Sequence, residues 1–186
     1  NALHRHTVDR HMVETAVPAA KLTRKVQRPD LLLFAALFHD IGKGSHEDHS
    51  VRGVGLIEPI AKRVGFDAKE IEILKNLVLH HLLLSSTATR RDLDDPATIQ
   101  SILSVIPDVN TLELLHALSI ADGEATGSAG WSDWKATLVN DLVKRVKSAM
   151  VGTEFAPQPE VSDEQRAMAA KGQLRVTLEE HSSGYA

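Results

Sequence analysis

Along the first part of the chain, apolar residues recur at the spacing of a helix. Val8, Met12, Ala16, Ala19 and Ala20 form such a stripe, which predicts a helix from about Thr7 to Val26 with His11 one residue away from the stripe. After Pro29 the pattern becomes a nearly unbroken apolar run, Leu31 to Phe38, that ends in His39-Asp40. Asp30 is placed to cap that helix, and Gly42 and Gly44 to stop it. Residues 45–48 read as a polar loop, and a further helix runs from near His49 to about Val64, kinked or split at Pro59. Asp67-Ala-Lys-Glu70 has the spacing of a capping box and opens a helix carrying His80 and His81. A polar break from Thr87 to Asp94 follows, and then Asp95-Pro96 starts a short helix that ends before Pro107. Asn110-Thr-Leu-Glu113 caps a helix that is apolar on nearly every side, the mark of a central element. Gly123 to Gly130 reads as a loop. Trp131 to Met150 reads as a long amphipathic helix with Trp134, Leu138, Leu142 and Val146 on one side and Gly152 at its end.

No strand-like alternation occurs in the first 150 residues, so the expected class is all-α, a helical bundle. From about residue 152 the text turns Pro-rich and polar, with a short helix at 162–165 and a candidate strand at 174–178. The expected organisation is a domain over residues 1–151, followed by a linker or tail over 152–186 leading toward a further C-terminal domain. The start at Asn1, with neither methionine nor signal peptide, reads as a piece excised from a longer protein.

Three of the apolar segments are interrupted by imidazole or carboxylate: at His39-Asp40, at His80-His81, and at His116 and Asp122. Burying an ionised carboxylate beside an imidazole costs several kcal/mol unless a partner charge or a metal takes the lone pairs. A divalent cation explains the doublet most simply, the plainer alternative being a buried His–Asp hydrogen bond near a helix end. Position then separates the ten histidines. His11, His39, Asp40 and Asp122 lie on helices whose apolar faces must converge, and they would form one metal site. His49 and His81 would supply a second metal, with Asp40 bridging both, since two ions held about 3.5–4 Å apart clamp the attacking and leaving oxygens of a phosphoryl displacement. Asp40, with water activated at the ions, is thus expected at the centre of catalysis.

His80 points about 100° away from His81 on a helix, so only one of the two faces the metals, and His81 is the choice. His4, His6, His46 and His116 read as surface or supporting histidines, and His181 as tail. Lys43 reads equally as a helix-end cation or as a phosphate contact. Arg90-Arg91-Asp92 is ordinarily a solvated turn, but is here a candidate anion clamp, with Arg91 grouped with Asp40 and Lys43 as catalytic. Trp131 and Trp134 are assigned to packing. Mixed imidazole and carboxylate ligation suits manganese, iron, cobalt, nickel or zinc, whereas magnesium prefers oxygen; magnesium is nevertheless kept among the candidates, and the sequence selects none.

Composition narrows the partners. A hydrophobic content of 42% with 25% charged residues is that of an ordinary globular domain, and no apolar run is long enough to span a bilayer. The formal charge of -4, with four Phe, two Trp and one Tyr, leaves neither a basic stripe nor a stacking surface for a nucleic-acid polymer. With no cysteine there is no disulfide, thiolate zinc site or cysteine nucleophile, which fits a cytoplasmic protein.

The ligand order resembles that of the HD-domain metal-dependent phosphohydrolases, and the likeness goes further. Thr7-Val-Asp-Arg-His11, Ala35-Ala-Leu-Phe-His-Asp-Ile-Gly-Lys-Gly44, Asp48-His-Ser50, His81-Leu-Leu-Leu-Ser85, Thr87-Ala-Thr-Arg-Arg-Asp92 and Trp131-Ser-Asp-Trp-Lys135 occur in that order. Together they resemble the HD domain of the bifunctional PII uridylyltransferase/uridylyl-removing enzymes over roughly residues 3 to 150. The resemblance implies a nitrogen-regulation enzyme whose preceding nucleotidyltransferase domain attaches UMP to a tyrosine of the PII signal protein. The HD domain then hydrolyses that bond and releases the nucleotide. It carries the ligand roles onto His11, His39, Asp40, His49, His81 and Asp122, and it implies ACT domains beyond the tail that bind glutamine. Two positions depart from the pattern: His6 stands where tyrosine is usual, and His80 where an acidic residue is usual. Some members transfer AMP, and the motifs do not report the base. Two alternatives remain: an HD phosphohydrolase of free nucleotides, or a catalytically silent HD module, the latter disfavoured by six filled ligand positions.

Overall fold

In the computed structural model two compact units divide the chain, Asn1–Phe155 and Ala156–Ala186. The residues described are 7–127 and 130–152 of the first unit and 167–168, 171–172, 180–181 and 184–185 of the second. In the second unit, Glu180–His181 pairs antiparallel with Gly184–Tyr185. The expected helix at 162–165 and strand at 174–178 lie outside the described residues, as do His4 and His6.

Every regular element described in the first unit is a helix, so the fold class is all-α. The α-helices are α1 Val8–Leu22, α2 Pro29–Phe38, α3 His49–Val64, α4 Ala68–His80, α5 Leu83–Arg90, α6 Pro96–Leu103, α7 Val109–Thr126 and α8 Asp133–Met150, with a 3-10 turn over Thr23–Lys25 after α1. Carboxylates start several of them. Asp48 accepts from the Ser50 and Val51 N–H groups at the head of α3, and Asp67 and Glu70 form a complete reciprocal box on α4. Asp95 caps α6 ahead of Pro96, and Ser132 caps α8. These side chains satisfy N–H groups that have no partner within the helix.

α7 is the hub. It packs on α1, α2, α4, α5 and α8, and Leu112, Leu114, Leu115, Leu118 and Ala121 are buried along it. Leu31, Leu32, Leu74, Leu77, Leu84 and Leu142 complete a single apolar core with them. That core supports three polar helix ends: the end of α2, the start of α3 and the end of α4.

Several expectations of detail are corrected. The buried stripe of α1 is His11, Thr15, Pro18, Ala19 and Leu22, so His11 is on the stripe rather than beside it. Asp30 is not a cap: α2 begins at Pro29, and Asp30 is held by Arg28, whose guanidinium also reaches Glu70. α3 runs unbroken through Pro59. Thr87 to Arg90 is helical and belongs to α5. α7 is capped by Asp108, not Asn110, and continues through Gly123 to Thr126. Gly123 is an interior residue of this helix, and its missing side chain makes room for the Trp131 ring; a Cβ there would sit 2.3 Å from that ring. Trp131 therefore packs, before α8 begins. Trp134, in contrast, is 64% exposed, and Val139, Leu142, Val143 and Val146 form the buried face.

Candidate metal centre

The apolar run of α2 ends because the chain turns after Phe38: the His39 N–H still bonds to the Ala35 carbonyl, but residues 39–42 form turns. His39 and Asp40 sit at that turn, 0% and 1% exposed. Gly42 then lets the turn press against α3, where His49 is the first helical residue. His81 occupies the equivalent place at the end of α4, α1 contributes His11 from near its start, and α7 contributes Asp122 from near its C-terminal end.

The four imidazoles form a row, His11, His39, His81, His49, with neighbouring ring centroids 5.3 Å apart and edge-to-face. Asp40 lies beside the row and divides its oxygens. Oδ2 is 3.8 Å from His11 Nε2 and 3.5 Å from His39 Nε2. Oδ1 is 3.5 Å from His81 Nε2 and 3.8 Å from His49 Nε2. Asp122 Oδ1 accepts from His11 Nε2 at 2.9 Å and is 3.5 Å from His39 Nε2. Most of these separations are too long for hydrogen bonds and suit donors converging on a shared ion.

Two triads, His11-His39-Asp40 and Asp40-His49-His81, each bring one ligand atom per residue within 4.8 Å of the others. His39 Nε2, Asp40 Oδ1 and His49 Nε2 are buried and lack any hydrogen-bond partner, and leaving such groups unpaired costs about 1–3 kcal/mol each. The far sides of the rings are held. His39 Nδ1 lies 3.0 Å from the Ala36 carbonyl and His81 Nδ1 2.8 Å from the Val78 carbonyl. An Nδ1–H donated there leaves the Nε2 lone pair facing Asp40, the tautomer a metal requires. The cluster could therefore bind metal, and its donor set fits a divalent transition ion.

The charges are strongly coupled. Burial works against an ionised Asp40, yet His39, His81 and Lys43 outweigh it and hold the carboxyl far below the usual range. Asp122 is lowered in the same way, by His11 and His39 against burial. Burial also opposes a charged His39, but Asp122 and Asp40 push it up to about 9, whereas burial and the neighbouring His81 lower His49.

Stability of the metal-free chain should follow this coupling. His39 gains protons on folding, its pKa rising from 6.5 to about 9. Its contribution is complete below pH 6.5 and disappears as the pH rises through about 9, while the lowered Asp40 and Asp122 contribute above 3.8 and lose their effect in acid. In EDTA, the melting temperature should fall between about pH 6 and pH 10, and metal affinity should rise over the same interval as the imidazolium proton leaves. A melting temperature unchanged across that interval would contradict the arrangement.

Of the other residues singled out in the sequence, Lys43 ion-pairs with Asp40 Oδ2 and so belongs to the cluster as the carboxylate's partner. Arg91 does not join them. It lines a cleft with His80, Arg90 and Ser86 that contains none of the cluster residues. His46 is exposed, and His116 is half-buried in a different cleft. Sequence reading missed the supports: the Thr15 hydroxyl donates to the His11 carbonyl at 2.8 Å, and the Thr126 hydroxyl to that of Asp122 at 3.0 Å. Their only sequence signal is a threonine four residues along the same helix.

The HD domain family model matches residues 8–123. Over 184 residues the chain is 54% identical to the bifunctional uridylyltransferase/uridylyl-removing enzyme of Streptomyces coelicolor, covering 99% of this chain and 21% of that protein. A protein of the same description from Mycobacterium tuberculosis H37Rv is 55% identical over 158 residues, covering 84% of this chain and 19% of the relative. One from Gluconobacter oxydans is 39% identical over 167 residues, covering 82% and 18%. The chain spans about a fifth of the length of these relatives.

Proposed function

The chain belongs to the HD domain family, and from that premise we propose that it is a metal-dependent phosphodiesterase that removes UMP from a modified tyrosine of a PII signal protein. The reading rests on Asp40, whose two buried oxygens each face a pair of histidines. The relatives named as uridylyl-removing enzymes support uridylate over adenylate. His11, His39, Asp40 and Asp122 are assigned to one ion and Asp40, His49 and His81 to the second, with manganese, iron, magnesium, cobalt and zinc as candidates. Two divalent ions would lower the pKa of a water and balance the charge that develops on the phosphoryl oxygens.

The residues do the rest. The carbonyls of Ala36 and Val78 fix the His39 and His81 rings, so that no reorganisation is needed when substrate arrives. Lys43, one quarter exposed at the edge of the cluster, can turn its ammonium from Asp40 to a non-bridging oxygen. Water oxygen adds to phosphorus, the bond from phosphorus to the tyrosine oxygen breaks, and the phenolate takes up a proton. Among the described residues no helix is long and apolar enough to cross a membrane, in keeping with a cytoplasmic role on a signalling protein.

The test incubates the chain with uridylylated and with adenylylated PII, with manganese or with EDTA, and follows nucleotide release by chromatography. Manganese-dependent UMP release is expected. AMP release in its place would overturn the base assignment. No release by either the manganese-loaded chain or the longer protein containing it would overturn the reaction, as would faster turnover of free nucleotides.

A further inference from the structure

The arginine pair left outside the metal centre has a cleft of its own. It measures about 420 Å³ and is bordered by His80 at the end of α4, by Ser86, Arg90 and Arg91 of α5 and its cap, and by Ser101 of α6. Leu83 and Val105 add apolar surface, and no carboxylate lines it.

Neither guanidinium has a partner among the described residues. The carboxylates nearest in sequence are used elsewhere. Asp92 Oδ1 accepts from the Asp94 N–H at 2.9 Å, Asp94 Oδ1 from Arg145 Nη1 at 2.7 Å, and Asp95 Oδ1 from the Ala97 N–H at 2.8 Å. Arg145 also donates to the Leu93 carbonyl at 3.2 Å and so ties down the turn that follows Arg91. A cation at the end of a helix complements its dipole, which accounts for one arginine. Two in one concavity with an imidazole and no carboxylate, in a chain of formal charge -4, form a place for an anion.

We propose that this cleft is a second ligand site, which binds the phosphate of a small phosphomonoester carrying hydroxyl groups, such as a nucleoside monophosphate. Each guanidinium can hold two phosphate oxygens in a fork, a geometry lysine lacks. His80, half-buried at the end of α4, borders the same cleft and can offer a ring N–H. The serines recognise the other end of the ligand. Ser86 donates its proton to the Leu83 carbonyl at 3.1 Å and Ser101 to the Thr98 carbonyl at 2.6 Å, leaving oxygens that only accept, as ligand hydroxyls require. The volume falls within the range of about 300–1,000 Å³ common for small-molecule sites. His80 adjoins His81, so the cleft opens at the same end of α4 as the metal centre. Binding here does not depend on the hydrolysis reading.

The experiment uses the 186-residue chain in EDTA, with Asp40 intact, so that no metal ion is present to hold phosphate at the histidine cluster and its carboxylate still opposes an anion there. UMP, inorganic phosphate and uridine are titrated by calorimetry, with the histidine ring resonances followed by NMR. Saturable UMP binding that moves the His80 resonances is expected, with uridine inert and inorganic phosphate weaker. Arg90→Gln and Arg91→Gln should each weaken UMP about tenfold or more, as expected for losing a charge-assisted pair. Both arginines are exposed, and an unchanged melting curve verifies folding. Unaltered affinity in both variants overturns the proposal, as does UMP binding that leaves His80 unmoved. Inorganic phosphate binding as tightly as UMP overturns the phosphomonoester assignment, and tighter binding of a glutamate-rich peptide would make the cleft a protein-docking surface instead.

Discussion

Replacing Asp40 by asparagine is expected to lower metal-stimulated nucleotide release at least about a thousandfold, roughly 4 kcal/mol of transition-state stabilisation. The substitution keeps the shape of a side chain that is 1% exposed, so helix content should be retained. What it removes is the charge that both histidine pairs face. Because Oδ1 and Oδ2 serve different pairs, the amide nitrogen disables one side wherever it points, and the remaining oxygen is too weak a donor for the other. Manganese affinity should fall at both sites together. His39 keeps Asp122 as a partner, so the loss of metal-free stability at alkaline pH should shrink without vanishing. Release within about tenfold of the parent, with two ions still bound, would remove Asp40 from the bridging role. Lys43→Met provides the contrast: it touches only Oδ2, so its effect on metal binding should be the smaller.

How much of this was legible in the sequence depended on whether a residue's role was local. The starts of α4 and α6 could be read because Asp67 and Asp95 act on N–H groups two or three residues away; Asp48, read as loop, caps α3 in the same way. His39, Asp40, His81 and Asp122 could be read as candidate ligands because carboxylates and imidazoles inside apolar runs conflict with burial unless something joins them, whereas His11 and His49 carry no such signal. The stripe of α1 was misread for the same reason in reverse. Thr15 is polar by type, yet it is buried with its hydroxyl on the His11 carbonyl, and Val8 and Ala20, apolar by type and counted in the stripe, are exposed. Gly123 looked like a helix stop, but a tryptophan eight residues on makes its missing side chain necessary. Asp108 rather than Asn110 caps α7, a choice between adjacent turns that one hydrogen bond to the Thr111 N–H decides. Arg91 reads from its guanidinium as a phosphate clamp beside Asp40 and Lys43; only the structure reveals that its cleft contains His80 and not His81.

Gly42→Ala should unfold the chain more readily and disable one metal site before the other. Gly42 follows the His39-Asp40 turn and meets the first turn of α3: an ideal Cβ would lie 1.9 Å from the His49 carbonyl oxygen and 2.8 Å from the Gly53 nitrogen. Both obstacles are backbone, so no side chain can rotate away, and α3 must shift. Inserting one methyl into a packed contact costs about 1–3 kcal/mol, and this contact lies at the unfavourable end of that range. The melting temperature should drop by about 5–10 °C at this chain length. His49 rides on the displaced turn, whereas His11 and Asp122 are anchored on α1 and α7, and His39 directly follows α2 with its N–H still bonded to the Ala35 carbonyl. Manganese stoichiometry should therefore fall from two to one, with the ion assigned to His49 and His81 lost. Gly44→Ala separates packing from backbone strain. Nothing lies within 4 Å of its Cβ, but its φ of +92 is unfavourable for alanine, so a cost of about 1 kcal/mol with both ions retained is expected. Equal effects of the two substitutions, or retention of both ions in Gly42→Ala, would mean that the contact between the turn and α3 does not position His49.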